Sequence, residues 1–204
     1  LYYERWKFRH PSLADLRATL AEGTGKPAIV NAAFDAYIYG TSRTDDRVES
    51  LSSREVLPLP GYYEYKGRQV LVGSKAIDKA VEKRRKAWKD KHPEAKAGQG
   101  AFPYRTVVVV RRDAAKPPQL LRIRFADGSH RDFPVTSQES WQRVVVTTRA
   151  KAVSAELDPD HLVWMDANKL NDGRTLEAQP AASRRWFGDF AALLQSFFAL
   201  LATV

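Results

Sequence analysis

The feature of the sequence that most constrains its fold is a series of short strand-like segments separated by turn signals. Thr106 to Val110 is an unbroken β-branched run, which favours a strand. Leu120 to Phe125 alternates apolar residues with arginines, and Asp127-Gly128 then marks a tight hairpin turn. Turn signals about every ten residues are typical of an antiparallel β-sandwich. The predicted strands cover 48–57, 62–72, 104–112, 120–125, a return strand through Phe133 and Val135, 141–148, 152–157 and 162–167.

Two short amphipathic helices are predicted before these strands. Ser12 stands three residues before Asp15, which is near the pattern of a capping box, and a second helix begins at Pro27 and ends at Gly40. Their apolar faces consist of Leu13, Leu16 and Leu20 in the first helix and Ile29, Val30, Ala33, Phe34, Tyr37 and Ile38 in the second. Forty residues are too few to cover both faces, so we expect a neighbour within a larger protein. The opening residues resemble the middle of a helix, which favours the same interpretation.

A basic helix is predicted to interrupt the strands between Ser74 and Asp90. The region 74–96 holds nine Lys or Arg and four Asp or Glu, which is most of the excess behind the formal net charge of +9. Three interpretations stay open: a solvated helix face with a Glu82–Lys86 pair, a surface for anionic lipid, or a surface for nucleic acid. Trp88 is the only nearby aromatic residue, which disfavours nucleic acid. The candidate anionic-surface contacts are Lys79, Lys83, Arg84, Arg85, Lys86 and Lys89.

The C-terminal segment 186–204 is strongly apolar and follows the pair Arg184-Arg185. Its length is marginal for a membrane crossing, and it predicts an amphipathic helix that lies in a membrane interface. The alternative is a terminal helix that docks on the sandwich or on another domain. The candidate membrane contacts are Trp186, Phe187, Phe190, Leu194, Phe197 and Phe198.

Together these elements predict an α+β chain: an N-terminal helical segment, an immunoglobulin-like antiparallel β-sandwich, a basic helical insert and a C-terminal apolar helix. We divide it into 1–44, 45–180 with the insert at 74–100, and 181–204. The 204 residues include no cysteine, which excludes disulfides, zinc–thiolate sites and cysteine nucleophiles. The hydrophobic fraction of 44% is ordinary for a globular protein.

The sequence contains no complete hydrolytic or metal-binding motif. His10, His92, His130 and His161 lie far apart, and none is followed by the Glu and second His of a His-Glu-x-x-His helix. We therefore predict no catalytic, cofactor or metal residue in this chain. Asp158-Pro159-Asp160 is predicted to be a turn rather than a calcium loop, because the Gly and bidentate Glu of such a loop are missing.

Two regions nevertheless resemble the aminopeptidase N family of zinc peptidases, in particular bacterial members fused to membrane proteins. The segment 7–16, which includes Phe8-Arg9-His10-Pro11, and the segment ending Tyr37-Ile38-Tyr39-Gly40 resemble the helices that close the family's catalytic domain. The segment 153–175 resembles the last strands of the β-sandwich that follows it. Departures from the family pattern occur at 28–32 and at 42–44.

The resemblance implies a non-catalytic C-terminal part of an aminopeptidase-like bacterial protein, which supports the catalytic domain and its substrate cleft. Zinc would belong to that upstream domain, peptide substrates would be met only indirectly, and membrane association is expected. The alternatives are a free-standing β-sandwich interaction module at a membrane surface and a family member that has lost its zinc ligands.

Overall fold

The computed structural model describes residues 1–95, 97–178 and 180–202 of the chain. The helices are α1 (Tyr2–Trp6), α2 (Leu13–Thr24), α3 (Pro27–Ala33), α4 (Ser74–Lys91) and α5 (Pro180–Ala202). The strands are β1 (Arg47–Glu55), β2 (Gly61–Tyr65), β3 (Arg68–Val72), β4 (Gln99–Arg111), β5 (Gln119–Phe125), β6 (His130–Val135), β7 (Trp141–Ala150), β8 (Ala152–Leu157) and β9 (Gly173–Thr175).

Two antiparallel sheets, ordered β1-β4-β7 and β6-β5-β8-β9, share one hydrophobic core. Alternation explains this core, because every second side chain of a strand points to the same face of its sheet. The first sheet contributes Val48, Val108, Val110, Val144, Val146 and Ala150, and the second contributes Leu121, Ile123, Phe125, Val135, Ala152, Ala155 and Leu157. The predicted α+β architecture with antiparallel sheets is therefore confirmed, and so is the hairpin across Asp127-Gly128, which joins β5 to β6.

The N-terminal helices form where the capping pattern predicts them. The Ser12 hydroxyl accepts a hydrogen bond from the Asp15 amide, and the Asp15 carboxylate accepts one from the Ser12 amide. After α3 the chain widens into one π-helical turn, Phe34–Ile38, which ends near Gly40. A Cβ atom at Gly40 would lie 2.6 Å from the Asp35 carbonyl oxygen, so only glycine fits this exit from the helix.

Between β1 and β4 the chain forms an inserted hairpin and a helix. The predicted strand 62–72 is in fact two strands, β2 and β3, which pair only with each other among the described residues. Lys66 and Gly67 connect them with φ angles of 50° and 75°, the left-handed conformation of a tight hairpin turn. Helix α4 packs on the start of β4 through Ile77 and Val81, which contact Phe102.

The predicted strand 162–167 was wrong. The segment holds one isolated bridge, from Asp166 to Thr44, and otherwise runs as a loop. The Asp158 side chain holds the backbone of this segment. Its two carboxylate oxygens accept hydrogen bonds of 2.8 Å from the amides of Leu162 and Val163. Those amides are then unavailable to a strand partner, and the second sheet instead ends with β9. The predicted linker 91–100 is also shorter than expected, because β4 begins at Gln99.

Helix α5 covers most of the predicted apolar tail, of which Thr203 and Val204 lie outside the described residues. Among the residues that are described, no helix combines the length and apolarity that a membrane crossing requires.

Candidate functional site

The basic insert presents its lysines to solvent. Ile77 and Val81 face the sheet, which places Lys79, Lys83 and Lys86 on the opposite side of α4 by the 100° step of an α-helix. These three lysines and Lys89 make no ion pair with any other described residue, and no Glu82–Lys86 pair forms. Four of the six predicted anionic-surface residues are therefore exposed cations without a partner in the described part of the chain.

The two arginines of the insert have structural contacts. The guanidinium carbon of Arg84 lies 4.8 Å from the centroid of the buried Phe102 ring, a cation–π contact. Arg85 donates a hydrogen bond to a carboxylate oxygen of Glu55 in β1. Arg84 and Arg85 therefore differ from the four lysines, because the two arginines contact the first sheet.

Helix α5 carries an exposed apolar face. In an α-helix the steps between Trp186, Phe190, Leu193 and Phe197 place their side chains within a narrow arc, and Phe187, Leu194 and Phe198 extend it. All seven side chains are exposed, with Trp186 at 78% of its full accessible area. The predicted membrane contacts thus share one face of one helix, to which Leu193 is added. Arg184 and Arg185 lie at its N-terminal end, on the polar side.

The N-terminal helices pack on one another and leave much of their apolar surface uncovered. The Trp6 indole donates to the Thr19 hydroxyl at 3.1 Å, and the Arg17 guanidinium donates to the Asn31 side chain at 2.7 Å. These polar contacts join α1, α2 and α3. Meanwhile Ile29 is 66% exposed, and further exposed apolar residues are Phe8, Leu13, Leu20, Ile38 and Tyr39.

The four histidines occupy separate structural positions. His92 caps α4, where its Nδ1 lies 2.9 Å from the Trp88 carbonyl oxygen and its ring stacks on the Trp88 indole. His130 begins β6, His161 sits in the turn after Asp158 with a φ of 53°, and His10 lies before α2. The predicted turn at 158–160 is confirmed. The described residues contain no group of three His, Asp or Glu side chains that could hold a metal ion.

A buried ion pair fixes one end of the core. The side chains of Asp46 and Arg112 are both fully buried, and their nearest charged atoms lie 2.9 Å apart. The Gln119 amide and the Asp113 backbone amide also donate to the Asp46 carboxylate, at 2.7 Å and 2.9 Å. Arg112 in turn donates to the Ser137 carbonyl at 2.7 Å. The sequence does not indicate this pair, because its members lie 66 positions apart.

The loop 158–172 contains a buried acidic group that the sequence did not reveal. The Oδ1 atoms of Asp172 and Asn171 are both buried, and neither has a hydrogen-bond partner among the described residues. Burial, and then the negative charge of Asp166, raise the pKa of Asp172 to about 7, with smaller contributions from Asp158 and Asp46 and an opposing one from Lys169. In the sequence, Asn171-Asp172-Gly173 has the composition of an exposed turn, so nothing there signals burial.

In comparisons with known proteins, no family model, curated protein or solved structure matches this chain.

Proposed function

We propose that the chain is a non-catalytic C-terminal part of a zinc aminopeptidase-like protein, whose helices α1–α3 pack on a catalytic domain. In this proposal the two sheets form an immunoglobulin-like sandwich beside that domain and support the wall of the substrate cleft. Zinc is held by the catalytic domain, and peptide substrates contact this chain only indirectly.

One observation carries the proposal: several apolar side chains of the helical segment stay exposed although the helices are folded and Ser12 caps α2. They are Leu13, Leu20, Ile29 and Ile38. Exposed apolar surface of this extent marks an interaction site, since burial of each such side chain contributes about 1.5–3 kcal/mol. Tyr37 and Thr44, whose hydroxyl oxygens lie 2.6 Å apart, connect the end of the helices to the start of the sheets. In this proposal the helices lie next to the two sheets, with these exposed apolar side chains available to a neighbour. The resemblance to the aminopeptidase N family supports a catalytic domain as that neighbour.

The test uses the complete protein as its gene encodes it, assayed with an aminoacyl nitroanilide. We expect a His-Glu-x-x-His motif upstream and a zinc-dependent activity. The double variant Leu20→Asp/Ile29→Asp should then lower activity and expose the junction to limited proteolysis, because it places two charges in the proposed interface. The double variant Leu59→Asp/Leu170→Asp is the matched control, since it adds the same charge at two exposed leucines elsewhere in the chain. Absence of the motif, or equal activity of the two variants, would overturn the proposal.

The exposed face of α5 favours a second candidate function, a β-sandwich interaction module attached to a membrane surface. The test is partitioning onto lipid vesicles of the chain and of Phe190→Ser/Leu194→Ser/Phe197→Ser. A polar-face variant, Asp189→Asn/Gln195→Ser, is the control. Partitioning should fall only in the apolar-face variant, and unchanged partitioning in both would remove this candidate.

A further inference from the structure

The outer surface of the sheet β1-β4-β7 is a second concentration of positive charge. Val108 and Val110 of β4 and Val144 and Val146 of β7 point into the core. By alternation, the residues between them point outward. The outward side chains include six arginines, which we call the arginine face: Arg47, Arg54, Arg105, Arg111, Arg143 and Arg149.

The strand register brings these arginines together. Arg47 lies directly opposite Arg111, and Arg54 directly opposite Arg105, in the pairing of β1 with β4. Arg143 lies opposite Val109 in the pairing of β4 with β7. Arg105 and Arg111 are six positions apart along β4, so the face extends at least about 20 Å along the strands and about 10 Å across them.

Few carboxylates balance this charge. Glu49 accepts a hydrogen bond from Arg47 at 2.8 Å, and Asp45 and Asp113 lie near the same end of the sheet. Four of the arginines, Arg54, Arg105, Arg143 and Arg149, are exposed and make no ion pair with the described residues. Like charges directly opposite each other destabilise a sheet. The arrangement therefore lowers stability in the absence of a ligand and gains from an anionic one.

Apolar side chains occupy the middle and one corner of the face. Val107 and Val109 are half-buried, and Val145 is 44% exposed. Trp141, at the start of the edge strand, is 59% exposed and lines a shallow pocket of about 320 Å³ with Arg111 and Val109. Tryptophan and arginine are both favoured where an apolar phase meets charged headgroups.

We propose that the arginine face binds the anionic phospholipid headgroups of a membrane surface. The guanidinium groups contact lipid phosphates, while the valine row and Trp141 lie against the headgroup region. A nucleic-acid strand fits this face less well, because base stacking needs aromatic side chains along the strand and Trp141 is the only one on the described outer face. The proposal does not depend on the aminopeptidase assignment or on α5, because it concerns a different element.

The test compares two variants of the full chain with the same change of charge. One is Arg54→Gln/Arg105→Gln/Arg143→Gln/Arg149→Gln. The matched control removes four exposed cations from α4, Lys79→Gln/Lys83→Gln/Lys86→Gln/Lys89→Gln. Binding to vesicles of phosphatidylcholine with about 30% phosphatidylserine is measured by co-sedimentation, and far-ultraviolet circular dichroism verifies folding of each variant.

We expect the arginine variant to lose on the order of 100-fold in vesicle partitioning, and the lysine variant to lose less than about 5-fold. Binding by the unaltered chain should weaken as salt rises from about 0.05 M to about 0.5 M, and it should be weaker with pure phosphatidylcholine than with the phosphatidylserine vesicles. Equal losses in the two variants would overturn the proposal, since net charge alone would then explain binding. So would tighter, arginine-dependent binding to a single-stranded oligonucleotide or to polyglutamate, which would assign the face to nucleic acid or to an acidic protein.

Discussion

Asp172 should make the stability of this protein fall as pH rises through neutrality. Its pKa is raised from 3.8 to about 7 in the folded chain. In the unfolded chain the carboxyl loses its proton near pH 3.8, whereas the folded chain keeps it to about pH 7. Over this window the folded state binds more protons, so the free energy of unfolding decreases with pH. The contribution of Asp172 to the free energy of unfolding is fully present below about pH 4 and is lost above about pH 7.

The magnitude follows from the shift. About three pKa units correspond to about 4 kcal/mol in total, because one unit is worth about 1.4 kcal/mol. Between about pH 5 and about pH 8, the part of the window that equilibrium measurements cover easily, the expected loss is about 2.5 kcal/mol. Carboxylates with lowered pKa values, such as Asp132, have the opposite effect but act at lower pH, so they do not mask the trend.

The assay is urea unfolding at these two pH values for the unaltered chain and for Asp172→Asn. Asparagine has nearly the same shape but does not ionise, so the variant should lose most of the pH dependence and be more stable than the unaltered chain at about pH 8. Asp160→Asn is the control, since Asp160 lies in the same loop but has a 52% exposed side chain. Parallel pH profiles for the unaltered chain and Asp172→Asn would refute the assignment of a raised pKa to Asp172.

Three further predictions concern stability, each measured as the change in the free energy of unfolding. Asp46→Ala should lower it by about 3–5 kcal/mol, because it leaves Arg112 buried without its counter-charge; a change below about 1 kcal/mol would contradict the burial of this pair. Leu121→Ala should cost about 2–5 kcal/mol at a fully buried site, whereas Leu170→Ala should have almost no effect. Ser12→Ala removes the N-cap of α2 and should cost about 1 kcal/mol, which a thermal melt followed by circular dichroism detects.

Local chemistry explains which parts of the fold were predictable from the sequence. The capping box at Ser12 and the hairpin at Asp127-Gly128 are determined within a few residues, and both form as predicted. The predicted strand 162–167 does not form, because the amides of Leu162 and Val163 donate hydrogen bonds to Asp158. Asp158 lies outside the apolar pattern on which the prediction rests. The sequence predicts one strand where the hairpin β2–β3 lies, because Lys66-Gly67 is a weaker turn signal than Asn-Gly or Asp-Gly.

The candidate surfaces likewise divide into features that are determined locally and features that depend on distant residues. The lysines of α4 and the apolar side chains of α5 are regularly spaced along single helices, so the sequence identifies them directly. The roles of Arg84 and Arg85 depend on Phe102 and Glu55, which lie elsewhere in the chain, and periodicity cannot supply those partners.

The arginine face is a concentration of positive charge that a count along the chain does not reveal. Counted in sequence order, the excess concentrates at 74–96, and the rest of the chain is only mildly basic. In this sheet the alternation of side chains places six arginines on the outer side. Among the described residues, Glu49 is the only carboxylate that forms an ion pair with one of them. Antiparallel pairing then places Arg54 beside Arg105 although 51 positions separate them in the printed sequence. A charge surface on a sheet is therefore a property of register, and the vesicle comparison of arginine and lysine variants asks whether register or net charge determines what this protein binds.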